Sequence, residues 1–235
     1  MIRRSLPIAL AITLAASLAA PLRAQVGHTP EDSPFTDLRG RQALTLATGT
    51  LAPGGDPAGV GPRTGLQLSA RYELLLTGPL WLQVRGTYAP RLERTVKDPL
   101  IATGDFAVGT SKRPHAGLEV GFGLNLTGNK SWHGIVPQTH GAFGWMTGGT
   151  TRPDLGGYTF GNKFTVSYGL GARLVTGRAW EGHVDLTHLF WKYRYPEDYG
   201  PGGVNGSNAI LDQNTLNPWQ GNLLLSVGMS RFFFR

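Results

Sequence analysis

Hydrophobic and polar residues alternate one by one through much of the chain. In TGLQLSARYELLL (64–76), apolar side chains take the even positions from Leu66 to Leu74, and Gln, Ser, Arg and Glu take the odd ones. The same period of two runs through 80–89, 116–127 and 164–175. A strand places alternate residues on opposite faces, whereas a helix would distribute them around its circumference. The pattern therefore predicts strands with one apolar and one polar face.

The spacing of these strands indicates how they are connected. Four less regular segments, at 42–50, 135–146, 180–191 and 219–233, bring the predicted strands to eight, of roughly 9–13 residues each, enough to cross a membrane at a tilt. The predicted connections are long at 51–63, 90–114, 147–163 and 193–218, and short at 77–79, 128–134 and 177–179. Strict alternation of this kind is typical of an up-and-down transmembrane barrel, which has short periplasmic turns, long outer loops and both termini inside.

The beginning of the chain has the layout of a secretory leader. A short basic start at Arg3 and Arg4 precedes an apolar run and then small residues, which predicts cleavage after Ala24. The alternative is an uncleaved anchor helix, although the apolar run is shorter than the roughly 20 residues that span a bilayer. The predicted order is a signal peptide at 1–24, a flexible periplasmic segment at 25–41 and a β-barrel at 42–235.

Composition narrows the class of this exported protein. The chain has no Cys, which excludes disulfides, thiol chemistry and a lipid-modified N-terminal Cys. Its formal net charge of +7 is spread out without a Lys/Arg run, and this favours contact with anionic lipid headgroups and not with nucleic acid. After the leader, no apolar stretch approaches the length of a transmembrane helix, so a membrane-embedded form has to cross with strands.

Tryptophan falls at strand ends or in turns of the predicted scheme. This holds for all six tryptophans of the chain: Trp81, Trp132, Trp145, Trp180, Trp191 and Trp219. Aromatic residues at both membrane interfaces are typical of transmembrane barrels. The alternative is that they are core aromatics of an ordinary β domain. We expect an interfacial aromatic girdle.

The last predicted strand, LLLSVGMSRFF, has one apolar face formed by Leu223, Leu225, Val227, Met229 and Phe233. Lipid would cover that face, and pairing with the first strand would close the barrel and remove both edges. With this strand, the chain resembles the small eight-stranded outer-membrane barrels of the OmpA/OmpX type over roughly 42–233. The resemblance implies an all-β, eight-stranded antiparallel up-and-down transmembrane β-barrel in the bacterial outer membrane. It also implies that Phe233 is the terminal aromatic residue read by the outer-membrane assembly machinery.

The polar faces of the strands are predicted to point into the barrel. Their ionisable residues are Arg71, Glu73, Arg85, Glu119, His140, Arg173, Glu181, His183 and Asp185. Eight strands enclose a space that side chains mostly fill, and buried charges must be paired and hydrogen-bonded. We therefore expect a salt-bridge network that fills the lumen as a polar plug.

The segment WEGHVDLTHLFW (180–191) is the strongest candidate for chemistry. Glu181, His183 and Asp185 share a face within about 7 Å of one another along the strand. A His between two carboxylates can act as a general base or as half of a metal site, but a His inside the plug explains the same pattern. No Ser follows His183 in an HxS pattern, and the inward face shows no apolar pocket for an acyl chain. We therefore predict no catalytic role, metal or cofactor.

These features predict a monomeric outer-membrane protein with a structural or surface-interacting role. It would contact outer-membrane lipid and lipopolysaccharide, and its outer loops, such as KYRYPEDYGPGG (192–203), are expected to be solvated and to meet an unassigned extracellular ligand. Three alternatives remain open: a lipid- or lipopolysaccharide-modifying enzyme centred on His183, a narrow pore, and a soluble carrier of lipocalin type. The carrier requires the reverse orientation, with Leu66 and Leu170 inside and Arg71 outside.

Overall fold

The computed structural model describes residues 33–38, 40–101, 106–148, 156–176, 180–202 and 209–233. All of these residues except 33 and 34 belong to one compact unit, Phe35–Arg235. The predicted signal peptide and its cleavage site lie outside the described residues. Nowhere in the described ranges is there a helix long and apolar enough to cross a membrane.

Eight long antiparallel strands form a closed barrel. Numbered in chain order, the strands of the described chain are β1 (Phe35–Asp37), β2 (Gln42–Pro53), β3 (Gly65–Thr77), β4 (Leu80–Lys97), β5 (Ala107–Asn125), β6 (Lys130–Trp132), β7 (Ile135–Gly148), β8 (Asn162–Val175), β9 (Trp180–Lys192) and β10 (Trp219–Phe233). The barrel follows the order β7-β5-β4-β3-β2-β10-β9-β8, and pairing of β7 with β8 closes it. The predicted eight-stranded antiparallel up-and-down barrel is confirmed.

The apolar face of the strands points away from the interior. Leu66 and Val120 are exposed, and Leu170 is exposed by 62 %, whereas Arg71 and Glu119 are buried inside the barrel. An outer wall of this kind suits a hydrocarbon surrounding and leaves the polar groups to satisfy one another. This orientation is the opposite of the one that a soluble lipocalin-type carrier requires.

Strands β4 and β5 are much longer than the alternation predicts. They remain paired as far as Lys97 opposite Ala107, with an irregularity in register between Ala89 and Leu92. The prediction of a long loop at 90–114 is therefore wrong. A strand that extends beyond hydrocarbon needs no apolar outer face, so the alternation ends before the pairing does.

The short connections lie together at one end of the barrel, which we call the short-turn end. Between β3 and β4, Gly78 adopts φ 49°, a left-handed conformation that glycine adopts without steric cost. The predicted turn at 177–179 lies outside the described residues. The connection from β5 to β7 contains β6, which pairs with β1. The expected flexibility of the segment at 25–41 is therefore wrong for β1, which is a strand.

The opposite, long-loop end holds an apolar cluster that we call the aromatic cap. Its members are Leu51, Ala58, Val60, Ala89, Leu92, Met146, Tyr158, Phe160, Leu189, Trp191, Tyr193, Tyr195, Tyr199, Leu211, Leu216 and Leu224. Tyr193, Tyr195 and Tyr199 belong to the loop that was expected to be solvated, so that expectation is wrong for these side chains. They are buried because the loops fold over the mouth of the barrel and pack on one another.

Candidate functional site in the barrel interior

Strand β9 orders the interior, because each of its inward residues lies at a different level. From the short-turn end to the long-loop end these residues are Glu181, His183, Asp185, Thr187, Leu189 and Trp191. The first four have polar side chains, and the last two belong to the aromatic cap. The charged lumen therefore ends and the cap begins between Thr187 and Leu189.

An ion pair covered by two aromatic rings forms the floor of the lumen. Arg173 Nε donates to Glu181 Oε2 over 2.7 Å. The guanidinium carbon of Arg173 lies 5.3 Å from the ring centroid of Trp81 and 4.7 Å from that of Phe232. These two rings meet edge to face at 6.3 Å. A cation over aromatic faces and paired with a carboxylate is stabilised without water, which fits the 0 % exposure of Arg173.

Above this floor, Arg71 links strand β3 to strand β9. Its Nη1 lies 3.3 Å from Asp185 Oδ2, and its Nε lies 3.6 Å from Glu73 Oε1. His183 Nε2 lies 2.6 Å from Asp185 Oδ2 and also contacts Arg71 Nη2, which lies 3.1 Å from His183 Nδ1. Gly171 provides space for this cluster, since a Cβ there would overlap Asp185 Oδ1.

The next level is organised by Arg85, which reaches across the barrel. Its Nη2 and Nε donate to Glu119 Oε2 over 2.6 and 3.0 Å. Its Nη1 donates to Thr187 Oγ1 over 3.2 Å, and its Nη2 donates to Ser167 Oγ over 3.3 Å. The Thr187 hydroxyl also lies 3.0 Å from His140 Nε2. Strand β4, which carries Arg85, and strand β9 lie on opposite walls, since each direction around the barrel separates them by the same number of strands.

The structure thus buries all nine predicted lumen residues in the interior, at three levels. His140 joins two of them, because its Nδ1 lies 3.8 Å from Asp185 Oδ1 while its Nε2 contacts Thr187. Sequence reasoning missed Thr187 and Ser167. Both continue the inward parity of their strands, so the alternation itself could have identified them.

The geometry gives His183 the surroundings of a structural residue. Its ring is only 2 % exposed, and both of its nitrogens face partners within the cluster of Arg71 and Asp185. Across the described ranges, no group of three or more His, Cys, Asp or Glu side chains is arranged to hold a metal ion. The arrangement can hold charges in place, but it presents no exposed imidazole to a lipid.

Two of the six tryptophans predicted for the interfacial girdle lie inside the barrel. Trp81 is 2 % exposed and Trp191 is 0 % exposed, so the prediction is wrong for both. Trp81 shares the inward parity of Arg85, and Trp191 shares that of Asp185, so position at a strand end was a poorer guide than parity. The remaining four are exposed at or near strand ends, and their place in a girdle stays a prediction: Trp132, Trp145, Trp180 and Trp219.

At the end of β10, one aromatic residue points into the barrel and the next one points outward. Phe232 points to the floor pair, as described above. Phe233 is half-buried, pairs in register with Gln42 and has the Arg231 guanidinium carbon 5.5 Å from its ring centroid. The role of Phe233 as an assembly signal stays a prediction.

A single carboxylate organises the loops of the aromatic cap. Asp56 Oδ1 accepts from Tyr195 Oη and, at 3.1 Å, from the backbone N–H of Ala58, while Oδ2 accepts from the backbone N–H of Gly61. The rings of Tyr193 and Tyr195 stack with centroids 5.5 Å apart. Burial, followed by the charge of Asp56, raises the pKa of both Tyr193 and Tyr195 above the ordinary value. Both phenols therefore stay protonated at neutral pH.

Comparison with known proteins identifies the fold. No protein-family profile and no curated protein sequence matches the chain. Among solved structures, Neisserial surface protein A (NspA) aligns with a TM-score of 0.50 and 10 % identity, over 82 % of this chain and 97 % of that one. The outer membrane protein OprG from Pseudomonas aeruginosa aligns with a TM-score of 0.48 and 10 % identity, over 87 % of this chain and 100 % of that one. The E. coli outer membrane protein W aligns with a TM-score of 0.47 and 12 % identity, over 84 % of this chain and 100 % of that one. At 10 % identity, the likeness to NspA concerns the fold alone.

Proposed function

Because the chain has the fold of the small eight-stranded outer-membrane barrels, we propose that it is an outer-membrane protein whose barrel does not conduct. Its role is to anchor a rigid, loop-built surface outside the cell. In this arrangement the leader exports the chain, the short-turn end faces the periplasm, and the aromatic cap faces outward. The protein acts as a monomer in contact with outer-membrane lipid and lipopolysaccharide, and Phe233 serves its assembly.

The observation that carries the proposal is the position of Arg85. Its guanidinium joins Glu119 on β5 to Thr187 on β9 and Ser167 on β8, across the full width of the interior. The Arg71 cluster lies below it and the floor pair of Arg173 below that. Each charged level removes space that a hydrated ion would need, and each is held by charge-assisted hydrogen bonds.

The aromatic cap supports the second half of the proposal, which concerns the surface. Flexible loops would leave their aromatic side chains in solvent, whereas here Tyr193, Tyr199 and Trp191 are fully buried. Asp56 ties the loop after β2 to the loop after β9 through Tyr195. A surface built on such a core keeps one shape, and a fixed shape suits recognition by a partner because little ordering entropy is lost on binding.

Single-channel recording tests the claim about conduction. We expect bilayers that contain the purified protein to give the same current trace as protein-free bilayers, because the three levels block the lumen. Insertion is verified in the same samples by heat-modifiable migration on gels. Reproducible conductance steps from the inserted, folded protein would contradict the proposal and favour the narrow pore.

The enzyme alternative has its own test. We expect the His183→Ala variant, once shown to be folded by heat-modifiable migration, to leave the lipid and lipopolysaccharide profile of the membrane equal to that of the wild type. This follows from the burial of His183 between Arg71 and Asp185. A changed profile in the folded variant would contradict our assignment of a non-catalytic role.

A further inference from the structure

A pocket on the flank of the aromatic cap is separate from the charged lumen. It has a volume of about 540 Å³ and lies between the start of β8 and the chain that leaves β9. Its polar lining comes from Thr159, Asn162 and Asn217, together with three cationic side chains. Since β8 begins and β9 ends at the long-loop end, the pocket lies at that end of the barrel.

The charges around this pocket have one sign. Lys163, Lys192 and Arg194 line it, and no Asp or Glu is among its lining residues. Lys163 and Arg194 are close enough for their like charges to act on each other. Cations that cluster without a carboxylate in the described lining repel one another, so an anion placed between them removes an unfavourable interaction.

Of the three cationic side chains, Lys163 is the strongest argument for an anion site, because it is buried. It is 7 % exposed, and within the described ranges no carboxylate pairs with it. Its Nζ lies 5.7 Å from the ring centroid of Phe160, which is a weak cation–π contact. Buried charges are normally paired. An ammonium group held in this way contrasts with Arg71, Arg85 and Arg173 in the lumen, each of which has its carboxylate.

The position of the pocket brings it to the outer wall. Phe164 lines it and is an exposed outer-wall residue, in edge-to-face contact with the exposed Trp145 at 6.1 Å. On the other side, Lys192 pairs in register with Trp219, which is also exposed. Exposed aromatic side chains at strand ends are typical of the headgroup level of a membrane. The cations therefore lie next to the level at which lipid phosphates occur.

From these observations we propose that the pocket binds a phosphate group through Lys163, Lys192 and Arg194. Arg194 and Lys192 approach the anion from the exposed side, and Lys163 supplies the buried charge. The hydroxyl and amide groups of Thr159 and Asn162 lie in the same lining and can donate to the remaining oxygens. The phosphate can belong to a membrane lipid headgroup or to a soluble ion. This inference names a site for the contact with lipid and lipopolysaccharide that the proposed function includes, and it does not depend on whether the lumen conducts.

The test uses the purified full-length protein in phosphatidylcholine nanodiscs, with and without lipid A, whose headgroup carries phosphate. Native mass spectrometry measures how much lipid A stays bound. We expect the double variant Lys192→Gln/Arg194→Gln and the single variant Lys163→Met each to retain less lipid A than the wild type. The affinity should fall by about tenfold for each cation removed, which is the effect typical of losing one charge-assisted hydrogen bond. The matched control is Arg63→Gln/Lys112→Gln, which removes two exposed cations that both contact Glu93. We expect the control to retain lipid A as the wild type does.

A second probe identifies the source of the phosphate. Inorganic phosphate is titrated into discs without lipid A and followed by phosphorus NMR. Binding of lipid A with no response to inorganic phosphate supports a lipid headgroup, and a response to inorganic phosphate alone supports a soluble ligand. The proposal is overturned if neither lipid A nor inorganic phosphate binds the wild type. It is also overturned if the control variant loses as much bound lipid A as the pocket variants do.

Lys163→Met also separates binding from folding. Because the substitution removes a buried charge that no carboxylate of the described ranges pairs with, we expect an unchanged or higher melting temperature together with weaker binding. A lower melting temperature with unchanged binding would show that the lysine supports the fold only, and would overturn the site.

Discussion

The lumen and the aromatic cap fill the same barrel with opposite chemistry. In the lumen, Arg71, Arg85 and Arg173 each meet a carboxylate, with nitrogen–oxygen distances from 2.6 to 3.6 Å. In the cap, aromatic and aliphatic side chains pack on one another, and the Tyr195 hydroxyl donates to the Asp56 carboxylate. Directional ion pairs tolerate little displacement, whereas apolar packing loses free energy in proportion to the area exposed. The two regions should therefore respond differently to mutation and to pH.

Breaking one lumen ion pair should have the largest effect. Arg85→Met leaves the Glu119 carboxylate buried without its partner, so we expect the free energy of unfolding to fall by about 3–5 kcal/mol. Urea unfolding in detergent micelles, followed by tryptophan fluorescence, measures this. The control is the double variant Arg85→Met/Glu119→Gln, which removes both charges and should recover most of the loss. A cost below about 1 kcal/mol for the single variant would indicate that water solvates the lumen and its charges.

Alkaline pH should open the cap and leave the lumen intact. Burial and the charge of Asp56 raise the pKa of Tyr193 and Tyr195 above their ordinary value of 10.0. The folded cap thus holds protons that unfolded loops release, so its stability is fully present below about pH 10 and is lost as the pH rises above it. Tyrosinate absorbance measures the ionisation, and protease cleavage of the loops measures the opening.

The lumen is the internal control for this titration. Its ion pairs join arginines to carboxylates and involve no phenol, so heat-modifiable migration of the barrel should persist after the cap has opened. If the phenols of Tyr193 and Tyr195 ionise at their ordinary value while the loops stay protease-resistant, the cap is solvated and our description of it is wrong.

A smaller effect is expected when the cap loses one hydrogen bond. Tyr195→Phe removes the hydroxyl that donates to Asp56, while the backbone donors of Ala58 and Gly61 remain. We expect a cost of about 1–2 kcal/mol, seen as faster amide hydrogen exchange in the loops. The free energy of unfolding of the barrel should not change. An equal loss in both measurements would show that the cap and the lumen form one cooperative unit.

The smallest effect is expected for an exposed ion pair. Lys112 Nζ lies 3.4 Å from Glu93 Oε2, and both side chains are at least one-third exposed. Lys112→Gln should lower the free energy of unfolding by no more than about 1 kcal/mol, because solvent screens such pairs. The same urea series that measures Arg85→Met gives the value, and a cost equal to that of Arg85→Met would remove the contrast between buried and exposed pairs.

The sequence predicted the barrel well because hydrocarbon imposes a regular pattern. Most outward positions in the membrane are apolar, so the alternation around Leu66 or Leu170 reveals both the strand and its orientation. Outside the membrane that requirement ends. Strand β4 extends to Lys97 and strand β5 begins at Ala107. These extensions therefore show no hydrophobic alternation that would distinguish them from a loop.

The interior was predictable in part, for the same reason. The alternation of inward and outward positions placed Arg85 and Asp185 inside the barrel. The same alternation places Trp81 and Trp191 inside, but their position at strand ends was used instead and gave the wrong side. The cap was not predictable, since Tyr193 and Tyr199 lie in a Gly- and Pro-rich loop without a period. Their burial depends on loops that meet only in three dimensions, through contacts such as that of Tyr195 with Asp56.

The central claim is that the apolar faces meet lipid and the charged faces fill the interior. Because the chain has no Cys, single cysteines at the outward Leu170 and the inward Ser167 can each carry a spin label in bilayer-embedded protein. Collision with oxygen, which dissolves in lipid, and with a water-soluble nickel complex then reports the surroundings. We predict that the label at 170 responds to oxygen and that the label at 167 responds to neither reagent. A strong response of the label at 167 to the nickel complex would show an open, water-filled lumen and would contradict the account.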